Sequence, residues 1–160
     1  MTPVARAAST HRSSSVGDTE SIGRALGERL RAGDVVLLFG ELGAGKTAFV
    51  RGLAEGLGAD PDEVSSPTFA LMQEYSGRLT LRHLDLYRIE RLAEIDDLGL
   101  DEAGAGAVLA IEWAERMGKP SPDAWRVDLR VVDEDTREIA VSGPPGRAPL
   151  TPPGSSALPS

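Results

Sequence analysis

The 160 residues contain no cysteine, which excludes disulfide bonds and thiolate metal sites and fits a reducing, cytoplasmic setting. No apolar run approaches the ~18 residues that a membrane-spanning helix requires, so the chain reads as soluble and no membrane partner is expected. Basic residues are in the minority: 17 Lys and Arg stand against 25 Asp and Glu, a net charge of -8. Broad attraction to a nucleic-acid backbone is therefore not expected, and any link to RNA would run through a partner. No internal repeat is visible, and the length suits one compact domain with a real core.

The strongest pattern present is Gly40-Glu41-Leu42-Gly43-Ala44-Gly45-Lys46-Thr47, which fills every fixed position of the phosphate-binding sequence G-x-x-x-x-G-K-S/T. Glycines without a Cβ let successive backbone N–H groups approach an anionic ligand. Lys46 adds a point charge for terminal phosphates, Thr47 a hydroxyl for a magnesium ion, and the helix opening there directs its positive dipole end at the same place. The wholly apolar Val35–Phe39 ahead of the loop reads as a buried strand, and a helical pattern follows, so strand, loop and helix come in the required order. A chance glycine-rich turn is the alternative that this context disfavours.

Elsewhere the pattern is α/β. Asp18 or Thr19 can cap a helix with Ile22, Leu26 and Leu30 on one face, ending at Gly33. A second helix from about Lys46 to Leu57 gathers Phe49, Val50, Leu53 and Leu57, with Gly58 as its stop. Residues 59–66 form a loop, 69–75 and 79–84 two strands joined at Gly77-Arg78, and 90–106 acidic short helices or turns. Val108–Ile111 is a second buried strand, and 125–132 with 137–141 make a hairpin near a sheet edge. Residues 1–17 read as a disordered extension, 18–142 as the nucleotide-binding domain, and 143–160 as a disordered tail rich in Pro, Gly and Ser.

A nucleotide hydrolase of this kind needs a carboxylate at a neighbouring strand end to hold the magnesium shell, and a group that positions water. Asp85 and Glu112 compete for these roles; each follows a strand, and Glu112 fits the buried-strand rule better. Helix capping or plain surface exposure is the alternative for both. Thr68, in Ser65-Ser66-Pro67-Thr68, either senses a terminal phosphate or belongs to a turn ordered by proline. His83, flanked by apolar residues, reads as a structural histidine, and Arg88 as a partner for phosphate or nearby acids.

Four blocks in order carry a family resemblance: Gly40 to Thr47, Ser66-Pro67-Thr68-Phe69 with Tyr75, His83-Leu84-Asp85-Leu86-Tyr87-Arg88, and Glu112-Trp113. Together they resemble the TsaE family, also known as YjeE, over about residues 19 to 142. The resemblance implies the α/β fold of P-loop NTPases: three layers, with a mainly parallel central sheet extended by antiparallel strands and a C-terminal hairpin. It implies a Mg2+-dependent ATPase, binding ATP or ADP, in the bacterial machinery that makes threonylcarbamoyladenosine in tRNA. Its partners would be TsaD-like and TsaB-like proteins, with tRNA reached only through that complex. Carried over by position, Gly43, Ala44, Gly45, Lys46, Thr47 and Ala48 cradle phosphates, and Thr47 and Glu112 bind magnesium, with Asp85 the other site acid. Thr19, Glu20 and Arg137 contact the nucleotide, and Trp113 lies close to the site. Two positions depart from the family pattern, Ala48 and Gly23, where threonine is common.

Two other functions compete with a partner-controlled ATPase. A small-molecule kinase would carry an arginine-bearing lid, and no arginine cluster lies between Ala114 and Pro122. A nucleotide-dependent interaction module that hardly hydrolyses ATP would share every phosphate-binding residue, so hydrolysis itself separates the two.

Overall fold

The computed structural model describes residues 8–41, 43–65, 72–87, 104–117 and 123–150. Seven strands are β1 (Ala8–Ser13), β2 (Val35–Phe39), β3 (Met72–Tyr75), β4 (Leu81–Asp85), β5 (Val108–Glu112), β6 (Trp125–Val131) and β7 (Arg137–Ser142). Among the described residues the helices are α1 (Val16–Gly27) and α2 (Lys46–Gly56), with 3-10 turns at Pro61–Glu63 and Ala114–Met117.

The strands form one sheet in the order β1-β7-β6-β2-β5-β4-β3. Its centre, β6-β2-β5-β4, is parallel, while β3, β7 and β1 join antiparallel. The expected mainly parallel α/β sheet with antiparallel flanks is what the chain adopts, including the β3–β4 and β6–β7 hairpins.

Burial explains why the two apolar runs sit in the middle. All five residues of β5 are buried, as are four of the five in β2. Val36, Leu38, Val108 and Ala110 face a core shared with Ile22 and Leu26 of α1 and Phe49, Val50 and Leu53 of α2. Leu37, Phe39, Leu109 and Ile111 point to the opposite face, where they meet Leu84, Leu86, Ala114 and Ala124. Each fully buried Leu or Phe contributes roughly 1.5–3 kcal/mol of transfer free energy, which a strand with one wet face could not gather.

The two helices cross closely because their contact is made of glycine. A Cβ on Gly23 would stand 3.2 Å from the Gly52 Cα, and one on Gly27 would stand 3.1 Å from the Gly56 Cα. Neither helix has room for alanine at the crossing.

Boundaries differ from the sequence reading in instructive ways. Helix α1 is capped by Ser15, whose Oγ accepts from the Asp18 N–H at 3.0 Å, rather than by Asp18 or Thr19. It ends at Gly27 rather than Gly33, because Arg29 and Leu30 donate to Leu26 and Gly27 and tighten the last turn. Gly58, at φ 82, is the stop for α2 as expected.

The supposed disordered extension contains an ordered element. Strand β1 covers β7 from Ala8↔Ser142 to Ser13↔Arg137, so the β6–β7 hairpin is interior and β1 is the edge. Its order comes from ladder hydrogen bonds, to which its polar composition gives no clue.

Residues 143–150 are likewise packed. Leu150 is buried, Arg29 donates to the carbonyls of Ala148 (2.6 Å) and Pro149 (2.8 Å), and Arg147 pairs with Asp34 at 3.1 Å. Both guanidinium groups lie over the Trp125 ring, at 5.6 and 5.2 Å. Expectations for residues 1–7, Ser66 to Thr68, Arg88, the acidic stretch up to residue 103 and the tail beyond 150 fall outside the described residues. Among the described residues no helix is long and apolar enough to cross a membrane.

Candidate functional site

Parallel pairing brings the carboxyl ends of β2, β5 and β4 to one edge of the sheet, where ligands bind in open α/β folds. Leu38 is in register with Glu112, and Glu112 with Asp85. The glycine loop leaves β2 at that edge. Gly43 (φ 83) and Gly45 (φ 103) take left-handed conformations, and Gly45 directly precedes α2 without any side-chain cap. The first N–H groups of α2 are thus open to an anion.

Lys46 is almost fully buried beneath the loop. Its Nζ donates to the carbonyl of Gly40 and, at 3.0 Å, to that of Glu41, and lies 3.9 Å from the centroid of the Trp113 ring. Burial lowers its pKa, while the charges of Glu115, Glu112, Asp85 and Glu41 act the other way. Glu115 also accepts from the Gly40 N–H at 3.3 Å.

Trp113 has φ 58, a left-handed conformation that costs a bulky residue about 1–3 kcal/mol and persists only where its surroundings enforce it. The bend turns the chain immediately after Glu112 and sets the indole between Lys46 and Tyr87, whose ring centroid is 4.9 Å away.

Thr47, the first-turn hydroxyl of α2, donates to both carboxylate oxygens of Glu112 at 3.1 Å. Glu112 is buried and also meets Nε2 of His83. Asp85, one strand over, accepts the Tyr87 N–H at 2.9 Å through Oδ1. Burial raises the Asp85 pKa, the Tyr87 N–H lowers it, and the Glu112 charge raises it further.

These oxygens fit Mg2+, a hard ion that takes one or two carboxylates and completes its shell with phosphate and water. Among the described residues no cluster of three or more His, Cys, Asp or Glu could hold a metal unaided. An ion here would arrive with phosphate.

On the other flank of the loop a cavity of about 160 Å³ is lined by Ser14, Ser15, Val16, Thr19, the loop glycines, Ala44, Ala48 and the β6–β7 tip with Arg137. Thr19 is buried, its Oγ1 2.7 Å from the Ser13 Oγ. Arg137 donates to the Gly43 carbonyl at 3.3 Å and is held by the carbonyls of Asp133, Glu134 and Thr136.

The structure therefore brings together Lys46, Thr47, Asp85 and Glu112 on one side and Thr19, Gly43, Ala44, Gly45, Ala48 and Arg137 on the other. Glu20 joins neither group: its carboxylate pairs with Arg51 of α2 at 3.1 Å. Sequence reading missed Ser14, Ser15 and Val16, which sit in the supposed extension. The Ser15-x-x-Asp18 spacing, a helix-capping pattern, was the signal that could have found them.

The family model described as "Threonylcarbamoyl adenosine biosynthesis protein TsaE" matches residues 13–139. The chain belongs to the TsaE family. Curated relatives named tRNA threonylcarbamoyladenosine biosynthesis protein TsaE include one from Treponema pallidum, 46% identical over 132 residues, covering 81% of this chain and 97% of the relative. Another, from Bacillus subtilis, is 42% identical over 125 residues, 76% of this chain and 77% of the relative. The crystal structure of Bacillus subtilis YdiB superposes with a TM-score of 0.65 at 30% identity, covering 88% of each chain. Within this TsaE family chain, the helix crossing gives a reason for Gly23: a Cβ there would run into the carbonyl oxygen of Phe49, so threonine would not fit against α2 as it is placed here.

Proposed function

We propose that the chain binds ATP with Mg2+ at the glycine loop and hydrolyses it slowly, under partner control, as the ATPase component of threonylcarbamoyladenosine biosynthesis in tRNA. The carrying observation is the meeting of Thr47 and Glu112 at 3.1 Å, beside Lys46 and Asp85, at one sheet edge. The loop N–H groups and Lys46 hold the β- and γ-phosphates, and Thr47 with Glu112 holds the ion. Magnesium, when bound, supplies charge to offset that developing on the transferred phosphoryl group. Asp85 accepts a proton from, or orients, the attacking water, a task favoured by its raised basicity. The cavity under Thr19 and Arg137 takes the rest of the nucleotide, ADP after hydrolysis.

Partner control agrees with the net charge of -8, which leaves tRNA to basic partners. On this reading the partners are TsaD-like and TsaB-like proteins of the cytoplasm; membership of a threonylcarbamoyladenosine biosynthesis family supports a shared machinery. The test is phosphate release from ATP by the purified chain, alone and with TsaD and TsaB added. Stimulation by the partners, abolished in Glu112→Ala, supports the proposal. Flat activity in all mixtures, with nucleotide-dependent partner binding retained, would replace it with an interaction module.

Arg137→Ala should weaken ATP binding by about tenfold, roughly 1.4 kcal/mol for the loss of one charge-assisted hydrogen bond. Titration of a fluorescent ATP analogue checks this; unchanged affinity would remove the β6–β7 tip from the site.

A further inference from the structure

Glu112 has a buried neighbour whose presence the packing of the sheet does not explain. His83 stands on β4 opposite Ala110 of β5 and Gln73 of β3 and has no solvent exposure. Its Nε2 reaches Oε2 of Glu112, and its Nδ1 has no hydrogen-bond partner among the described residues. An imidazole with one unsatisfied nitrogen is a costly filler for an interior strand position, where an aliphatic side chain would pack without that cost. Its one hydrogen bond through the ring among the described residues is therefore the reason to look for a role, and that bond falls on the carboxylate that also accepts from Thr47.

We propose that His83 is a positioning residue, with its Nε2–H fixing the Glu112 carboxylate in the rotation that faces Thr47 and the metal site. A carboxylate held only by Thr47 could turn about its last torsion, which is broad and roughly two-fold. Held on the other side by a ring that is itself locked in the sheet, it keeps one orientation. Residues behind a metal ligand commonly set affinity in this way. The inference rests on the proposed role of Glu112 toward Mg2+.

The experiment is a titration of MANT-ADP binding by the intact chain with and without Mg2+, reading the Mg2+ concentration that gives half of the gain in affinity. His83→Leu should raise that concentration by about tenfold or more, and leave MANT-ADP affinity in EDTA unchanged. His83→Gln, whose amide N–H can reach Glu112, should restore most of the loss. His83→Asn, too short to reach, should behave like His83→Leu. Equal weakening with and without Mg2+ in His83→Leu and His83→Gln alike would show a purely structural histidine and overturn the inference. So would wild-type Mg2+ dependence in all three variants. Glu112→Ala in the same titration separates the two claims: if it shifts Mg2+ dependence and His83→Leu does not, only the His83 inference fails. If Glu112→Ala itself shifts nothing, the metal role of Glu112 fails first.

Discussion

Lys46→Ala is expected to weaken ATP and ADP binding by roughly a hundredfold or more, the equivalent of about 3 kcal/mol for charge-assisted hydrogen bonds removed from a dry site. The ammonium is buried, donates to the loop carbonyls of Gly40 and Glu41, and rests against the Trp113 face. Those interactions hold the positive charge beneath the loop before any ligand arrives, so little ordering remains to be done on binding. Lys46→Arg should not rescue, since a planar guanidinium cannot occupy the space of a compact ammonium between two carbonyls and an indole. Calorimetric titration with ADP, with circular dichroism to verify folding, decides the matter. Affinity close to wild type in Lys46→Ala would detach the glycine loop from nucleotide binding altogether.

The second large effect concerns stability. Gly52→Val should lower the unfolding free energy by about 3 kcal/mol, the upper part of the range for overpacked cores, and lower the melting temperature by roughly 6–12 °C for a chain of this size. A Cβ at Gly52 would collide with the Glu20 carbonyl oxygen and stand 2.9 Å from the Arg24 N, both backbone atoms that no rotamer change can move. Relief would require α1 and α2 to separate, opening the core around Ile22, Leu26, Phe49 and Leu53. Gly17→Ala is the control. In the exposed first turn of α1, its Cβ would meet only the Ser15 Oγ at 3.7 Å, and better helix propensity should stabilise it by up to about 1 kcal/mol. Thermal denaturation of both variants tests the crossing, and similar melting temperatures would rule out a glycine-dependent packing of the two helices.

Chemistry-bearing residues were legible wherever a local pattern carried them. The glycine loop announces itself because phosphate-type sites need several glycines, a lysine and a hydroxyl at fixed spacing along one turn of chain. Asp85 and Glu112 were visible because Asp85 follows an alternating strand and Glu112 a wholly apolar one, and strand ends of a parallel sheet share one edge. Glu20 illustrates the opposite case. The family resemblance assigned it to the nucleotide, whereas here its carboxylate pairs with Arg51 of α2.

Polar or proline-rich segments misled for a common reason. Ala8–Ser13 and 143–150 bury little of their own, so composition marks them as disordered, but each is ordered by groups far away in the chain. For β1 these are the backbone groups of β7; for the C-terminal segment they are Arg29, Asp34 and Trp125.

By itself, then, the sequence determined the α/β pattern, the glycine loop with Lys46 and Thr47, and the two acids, because each is written in neighbouring residues and in hydrophobic periods. Only the tertiary structure decided that Thr47 and Glu112 share hydrogen bonds, that His83 backs the same carboxylate, and that Ser14, Ser15 and Arg137 border one cavity. Such relations join residues far apart in the chain, 65 positions between Thr47 and Glu112 and 94 between Gly43 and Arg137. Strand order and helix crossing set such proximities, and neither is encoded in any local stretch of chain.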